Sequence, residues 1–546
     1  MNPLIIAALL ALAPGAQETH HDHGPSPQLG KLSFETSCNP AAQMLVTRGL
    51  GWLHSFEYEE AARTFSQAFA TDPECAIAQW GVAMTYYHPL WAPPNVAERA
   101  KASEALAKAR AARTASARER DYIAALDTFY RDSDRVDHKT RTHAYVEAMQ
   151  QIHARYPADD DAAVFYALAL VSAGTMDSDP GFAKERQAGA ILNRVLAQTP
   201  DHPGVAHYLI HSFDYPALAD LALPAARRYA SIAPASPHAQ HMPSHIFVRL
   251  GLWDEAISSN VASEAAARAF AKAQGLPDAS SERLHAMDYL AYGYLQTGQD
   301  RKAEEVRTNL YAIRRADPPI LAVAYAATAI PARIVLERRE WKKAASLSLP
   351  DNVRALVPLK DFGWSEAHIH FARAIGAVRG GDVAAARSEV AALSQIENEI
   401  QVPSGTYDWR TQVSIERQVA AAWLAHAEGR QEQAITMMRA AADLDDVTEK
   451  HPATPGALLP AREQLGELLL ELGRPAQALR EYEAALQRAP RRLGGLYGAA
   501  RAAKLAGLAP KAQAHFAQVL EITKQGDRNR IEIKEAQAFT QRRARR

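Results

Sequence analysis

The sequence predicts an all-α chain, a solenoid of helical hairpins with irregular central repeats, and three observations carry that expectation. A glycine followed five residues later by an alanine recurs along much of the 546 residues, at Gly251 and Ala256, Gly298 and Ala303, Gly381 and Ala386, and Gly429 and Ala434. At the C-terminal end Leu465, Gly466, Leu472, Gly473, Ala478, Tyr482, Ala485 and Pro490 form a pattern that partly recurs 34 residues on, at Gly507, Ala512 and Phe516. Nothing in the chain reads as a run of strands. The physical reading is a pair of helices per repeat: the glycine ends the first because it tolerates positive φ, and the alanine is small where the second packs closely on the first. Intervals longer than one period, such as the 47 residues from Gly251 to Gly298, imply irregular or extended repeats.

Taken in chain order, the N-terminus has an apolar stretch from Pro3 to Ala13, too short to cross a bilayer and followed by Pro14 and Gly15, which reads as a signal peptide over residues 1–16. Export to a periplasmic or extracellular compartment follows, with no transmembrane segment after signal removal. Residues 17–42 are expected to be a flexible leader, polar and Pro-containing, whose His20, His21 and His23 could bind a metal loosely. Cys38 and Cys75 are the two cysteines, an even count that in an exported chain allows one disulfide or, alternatively, two separate buried thiols. The repeat region is expected over residues 43–450, with a His-rich centre at 207–292. A C-terminal module and basic tail follow over 451–546, set off by the helix-breaking prolines and glycine of EKHPATPGALLP.

Gly49, Ala61, Phe65, Ala68 and Pro73 repeat the pattern near the start, and Glu340 and Ala345 fit it with the glycine replaced. These residues resemble tetratricopeptide repeats over most of residues 43–525. The stretches LHSFEYEEAARTF, DPECAIAQWGVAM, HAQHMPSHIFVRLG and EKHPATPGALLPAREQLGELLLELGRP are similar to those of a group of exported bacterial tetratricopeptide proteins. That resemblance implies fold and export, and no particular reaction. It also implies that first helices line a concave groove where a protein or peptide partner would bind.

Composition excludes several classes. Lys and Arg number 61 against 62 Asp and Glu, so no overall field attracts a nucleic acid, and the short tail QRRARR carries no binding argument alone. There is no CxxCH for covalent haem, and no GxGxxG, GxxxxGK[ST] or GxSxG for a nucleotide or a serine nucleophile. Trp52, Trp80, Trp91, Tyr86 and Tyr87 read as core aromatics rather than a groove surface.

The histidines carry the chemistry. His238, His241 and His245 lie thirteen, ten and six residues before Gly251, and the same offsets from Gly298 give His285, Asp288 and Tyr292, while the first offset from Gly381 gives His368. Counted this way they form one groove-facing stripe, joined by His207 and His211 four residues apart. His54 and His88, one period of 34 residues apart, are placed at matching groove-lining positions.

Neutral imidazole suits Zn, Cu or Fe, and histidines at i and i+4 can share one ion. The expected ligands are His207, His211, His241 and His245, then His238 and His285; Asp214, Glu282 and Asp288 would ligate or hold the far ring nitrogens. The competing reading is a set of hydrogen-bonded interior groups. Pro243 either kinks the helix or starts a new one, which would dissolve the His238–His245 stripe. Three roles remain open: a partner-binding scaffold with a metal site, a metal-dependent enzyme activating water or oxygen, and metal storage or delivery.

Overall fold

The computed structural model describes residues 27–90, 93–273, 275 and 278–544. The signal peptide, His20, His21, His23 and Trp91 lie outside them. Helices follow one another as hairpins, each packed on the next: Pro40–His54 against Tyr58–Thr71, Ser281–Gln296 against Asp300–Ala312, Ala461–Glu471 against Pro475–Arg488, and Leu493–Leu505 against Ala509–Ile522. A two-residue parallel pairing of Ala279–Ser280 with Ala316–Asp317 is the one departure from helix among the described elements.

The glycine–alanine device is visible in the backbone. Gly251, Gly298, Gly381, Gly429, Gly473 and Gly507 all have φ between 65° and 88°. Their partners Ala256, Ala303, Ala386, Ala434, Ala478 and Ala512 are all buried. Where the glycine is replaced, the register differs by one residue from the expected Glu340 and Ala345. The left-handed residue is Arg339, φ 56°, and the buried alanine is Ala344. A non-glycine residue in that conformation costs about 1–2 kcal/mol, and Arg339 offsets this with a two-pronged ion pair to Glu467 at 2.6 and 2.8 Å. Phe56, φ 56°, holds the corresponding place in the first hairpin.

The leader expected to be flexible over 17–42 is ordered in its described part. Leu29 and Phe34 are buried in the first core cluster, Lys31 donates its backbone N–H to Asp201 O at 3.0 Å, and Cys38 is joined to Cys75 in a disulfide. Trp52, Trp80 and Tyr87 are core residues of the same cluster.

The C-terminal repeats, expected as a separate module from residue 451, fold back onto the centre. Trp253 Nε1 donates to Arg491 O at 2.8 Å, Leu493 N donates to Gln296 Oε1 at 2.9 Å, and Asp527 N donates to Gly298 O at 2.8 Å. Buried Arg492 binds Glu337 at 2.6 Å and Glu463 at 2.8 Å. Leu493, Leu496, Tyr497 and Phe516 belong to the same apolar cluster as Phe34 and Trp80.

Residues 448–460, helix-free as their prolines dictate, do not hang between modules. They run through the interior as a strap. Lys450 Nζ meets Asp214 Oδ2 at 3.0 Å, Thr454 O accepts from Tyr289 OH at 3.1 Å, and Gly456 O accepts from Tyr325 OH at 3.2 Å and from Arg333 at 3.0 Å. No helix among the described residues is long and apolar enough to cross a membrane.

Candidate metal centre

Four helices present the histidines. Pro203 opens the helix Pro203–Phe213, where its missing N–H costs nothing, and His207 and His211 follow one turn apart on one face. Ser236 caps the short helix Pro237–His241 by accepting from Ala239 N. Pro243 then opens Pro243–Arg249, but Met242 between them keeps helical angles, φ −52° and ψ −36°. The proline therefore divides the hydrogen-bond ladder without dissolving the stripe. Ser280 caps Ser281–Gln296, which carries His285 and Tyr289.

The six histidines meet as two triads. His207, His211 and His238 form one; His241, His245 and His285 form the other; in each, three ligand atoms lie within 4.8 Å of one another. In the first, His207 Nε2 stands 3.1 Å from His211 Nε2 and 3.2 Å from His238 Nε2. In the second, His241 Nε2 and His245 Nε2 are 2.9 Å apart. The single four-histidine site expected from the sequence is thus divided, with His238 and His285 as full members.

Groups behind the rings fix which nitrogen carries the proton. His207 Nδ1 donates to the backbone carbonyl of His54 at 2.6 Å. His241 Nδ1 donates to Asn260 Oδ1 at 2.7 Å, and that oxygen is identified as the acceptor because Asn260 Nδ2 donates to Ala256 O at 2.8 Å. His245 Nδ1 donates to Asp214 Oδ2 at 3.0 Å. His238 Nδ1 lies 3.4 Å from Glu282 Oε2. With Nδ1 protonated in both His241 and His245, their facing Nε2 atoms are two lone pairs, and two acceptors at 2.9 Å repel unless a cation lies between them.

Electrostatics favour the neutral form of five of the rings. Burial pushes His207, His211, His241 and His285 well below the usual histidine range, and neighbouring histidines push the same way. His245 is lowered by burial to about 4, although Asp214 pulls it upward. Burial alone would raise the Asp214 carboxyl, but Lys450, Arg249 and His245 outweigh it and hold it well below its ordinary value. Around the first triad Glu57 is pushed up to about 8 by burial and by Glu282, while its carboxylate oxygen accepts from Ser236 Oγ at 2.7 Å.

The remaining sequence-selected residues fall in different places. All six triad histidines are at most 5% exposed, so the stripe faces the interior and not an open groove. Asp288 is buried, makes no hydrogen bond among the described residues and is pushed up by burial to about 6; it does not support a ring. His54, expected to line the groove, is fully buried: Nε2 meets Asp161 Oδ1 at 2.9 Å and Nδ1 meets Tyr208 OH at 3.1 Å. His88 is half-buried, donates to Thr85 O at 2.9 Å and does not match it. Tyr292 is buried under the guanidinium of Arg333, 4.6 Å from its ring. His368 is buried against Thr328 Oγ1 at 2.8 Å, in the wall of a cavity of about 40 Å³ shared with Tyr325, Trp409, Glu416 and His451. His451 sits in the strap, stacked on Trp409.

Several site residues were not singled out by sequence reasoning. Tyr289 packs its ring 4.6 Å from His241 and 5.2 Å from His245, and its position one turn after His285 was a readable signal. Asn260, on the following helix Trp253–Ala273, offered none. His202 and Asp161 join His54 in a third buried group. Gly204 allows this crowding, since a Cβ there would come within 2.5 Å of His54 Nδ1.

No family model matches the chain, and no curated protein matches it. Among solved structures, the TPR domain of P58(IPK) is 14% identical, with 73% of this chain and 99% of that one covered and a TM-score of 0.21. The human IFIT1 dimer with m7Gppp-AAAA is 12% identical, with 90% and 91% covered and a TM-score of 0.34. Likeness at this level carries no argument about the site, and the fold rests on the helical hairpins themselves.

Proposed function

We propose that this protein is a helical-repeat scaffold that holds transition metal ions in two adjacent trihistidine sites inside its wall. The observation that carries the reading is the contact of His241 Nε2 with His245 Nε2 at 2.9 Å while both Nδ1 atoms are committed as donors. A shared cation turns that repulsion into coordination. The carbonyl, amide and carboxylate groups behind the rings are the kind that orient metal-bound histidines. The same contacts fit Zn, Cu or Fe, all imidazole binders. The rings of His207, His211, His241, His245 and His285, held neutral by burial, are ready to ligate without first losing a proton.

A protein or peptide partner on the concave face remains part of the proposal on the repeat architecture alone. Because the triads lie within the wall, that role is separable from metal binding. Export to a periplasmic or extracellular compartment is supported by the Cys38–Cys75 disulfide, which persists in oxidising surroundings.

The test is elemental analysis of untagged protein, set beside a His241→Ala, His245→Ala double variant that keeps its circular dichroism. Near-stoichiometric transition metal in the parent, reduced in the variant, is expected. A parent that retains none, even after refolding with Zn, Cu and Fe salts, overturns the reading and leaves a proton-sharing histidine network.

A further inference from the structure

This inference rests on the reading that the triads hold metal. We propose that they form one dinuclear copper centre that binds dioxygen between its two ions.

Contiguity is the first ground. Across the triads the rings of His211 and His245 are 6.1 Å apart and those of His238 and His241 are 6.2 Å apart. Within the second triad His245 and His285 are themselves 6.1 Å apart. The boundary between the triads is within 0.1 Å of a separation inside one. The segment 238–245 also serves both, giving His238 to one triad and His241 and His245 to the other. Two ions bound there are tied to one stretch of backbone.

The donor set is the second ground. Each triad offers imidazole alone. Asp214 and Glu282 meet the rings from behind, on Nδ1 of His245 and His238. Hard divalent ions draw on carboxylate and water oxygens, whereas copper is well served by neutral nitrogen donors, and the cuprous ion needs no anionic ligand. Three protein ligands leave each ion an open position.

The walls are the third ground. The Phe56 ring lies 4.4, 5.6 and 5.7 Å from the rings of His207, His211 and His238, and the Tyr289 ring lies 4.6, 5.2 and 5.4 Å from those of His241, His245 and His285. One aromatic wall per triad restricts the open positions to a small ligand. The step balances without a proton. Each cuprous ion gives one electron to dioxygen, which becomes a peroxide dianion held between two cupric ions, and the reverse transfer releases dioxygen. A one-electron donor such as ascorbate brings the ions to the cuprous state.

The full chain is loaded anaerobically with cuprous ion, counted, exposed to dioxygen, and followed by near-ultraviolet absorption and electron paramagnetic resonance. Expected are two copper ions per chain, an intense new charge-transfer band on oxygenation, and cupric ions whose coupled spins leave most of the copper silent. His211→Ala and His285→Ala, each opening one triad, are expected to bind about half the copper and to lose the band entirely. Two ions with full cupric spin, or one ion per chain, overturn the pairing while leaving metal binding intact. Failure of the parent to hold copper, zinc or iron overturns the reading beneath it. The spin count is made on the parent, so the result does not depend on either variant folding.

Discussion

Tyr289 donates its phenol proton to the carbonyl of Thr454 at 3.1 Å, joining the helix that carries His285 to a strap residue 165 positions later, while its oxygen stays 3.4 Å from His245 Nε2. Tyr289→Phe keeps the ring and removes this tie. The expected cost is about 1 kcal/mol of stability, with metal content unchanged and metal release to a chelator accelerated. Stopped-flow release from parent and variant checks this; equal rates would show that the strap does not guard the site.

Asn260 fixes the tautomer of His241. Asn260→Ala leaves His241 Nδ1 without its acceptor, and loss of such a supporting group costs roughly 10–100-fold in metal affinity. The loss is expected in the second triad, with the first, whose His207 is held by the His54 carbonyl, retained. Competition against a graded chelator series would resolve the two sites.

The metal-free chain is expected to be most stable near neutral pH. His245 and His138 titrate at about 4 and His368 at about 3 when folded, all lowered first by burial. Their unfolded forms take up protons from about pH 6.5 downward, so stability falls as pH drops through that window, by up to about 1.4 kcal/mol per unit for each such histidine. Glu57 and Glu416 act oppositely. Burial raises both to about 8, so the folded chain holds protons that the unfolded one has lost, and stability declines as pH rises from about 4.5 toward 8. The lowered histidines outnumber these acids and set the acid limb. Urea midpoints across pH 4–9 should trace a maximum rather than a plateau.

Cys38 and Cys75 close a loop of sequence separation 37. Chain-entropy reasoning puts the stabilisation from such a loop at about 4 kcal/mol. Cys38→Ser, Cys75→Ser should therefore lower the thermal midpoint and leave metal stoichiometry unchanged, as neither residue reaches the triads. Calorimetry with parallel metal analysis tests both halves.

Helical class and hairpin punctuation were legible because a glycine at positive φ and a small residue five positions later are written in residue types. Arg339 shows the limit: its left-handed backbone is sustained by Glu467, far away in sequence, and nothing local marks it. The histidine pairings at i and i+4 were also legible. Their division into two triads was not, since it depends on how Pro237–His241 and Pro243–Arg249 meet the helix Pro203–Phe213. The acceptor for His207 is a backbone carbonyl, which every residue has and no sequence pattern advertises. Counting offsets from glycines placed the stripe on an open wall; the strap that covers it comes from a segment that reads locally as a linker.

The strap also sets an order of assembly. The helices bearing the histidines are complete by Gln296, whereas Lys450, which meets Asp214, lies 236 residues after it. Local hairpins form quickly and distant contacts slowly. A growing chain therefore passes through a stage with its imidazoles gathered and their cover still unmade. On the proposed metal reading, that interval is when an ion would enter without any part of the finished fold having to open, and the last repeats, once docked, would act as the lock.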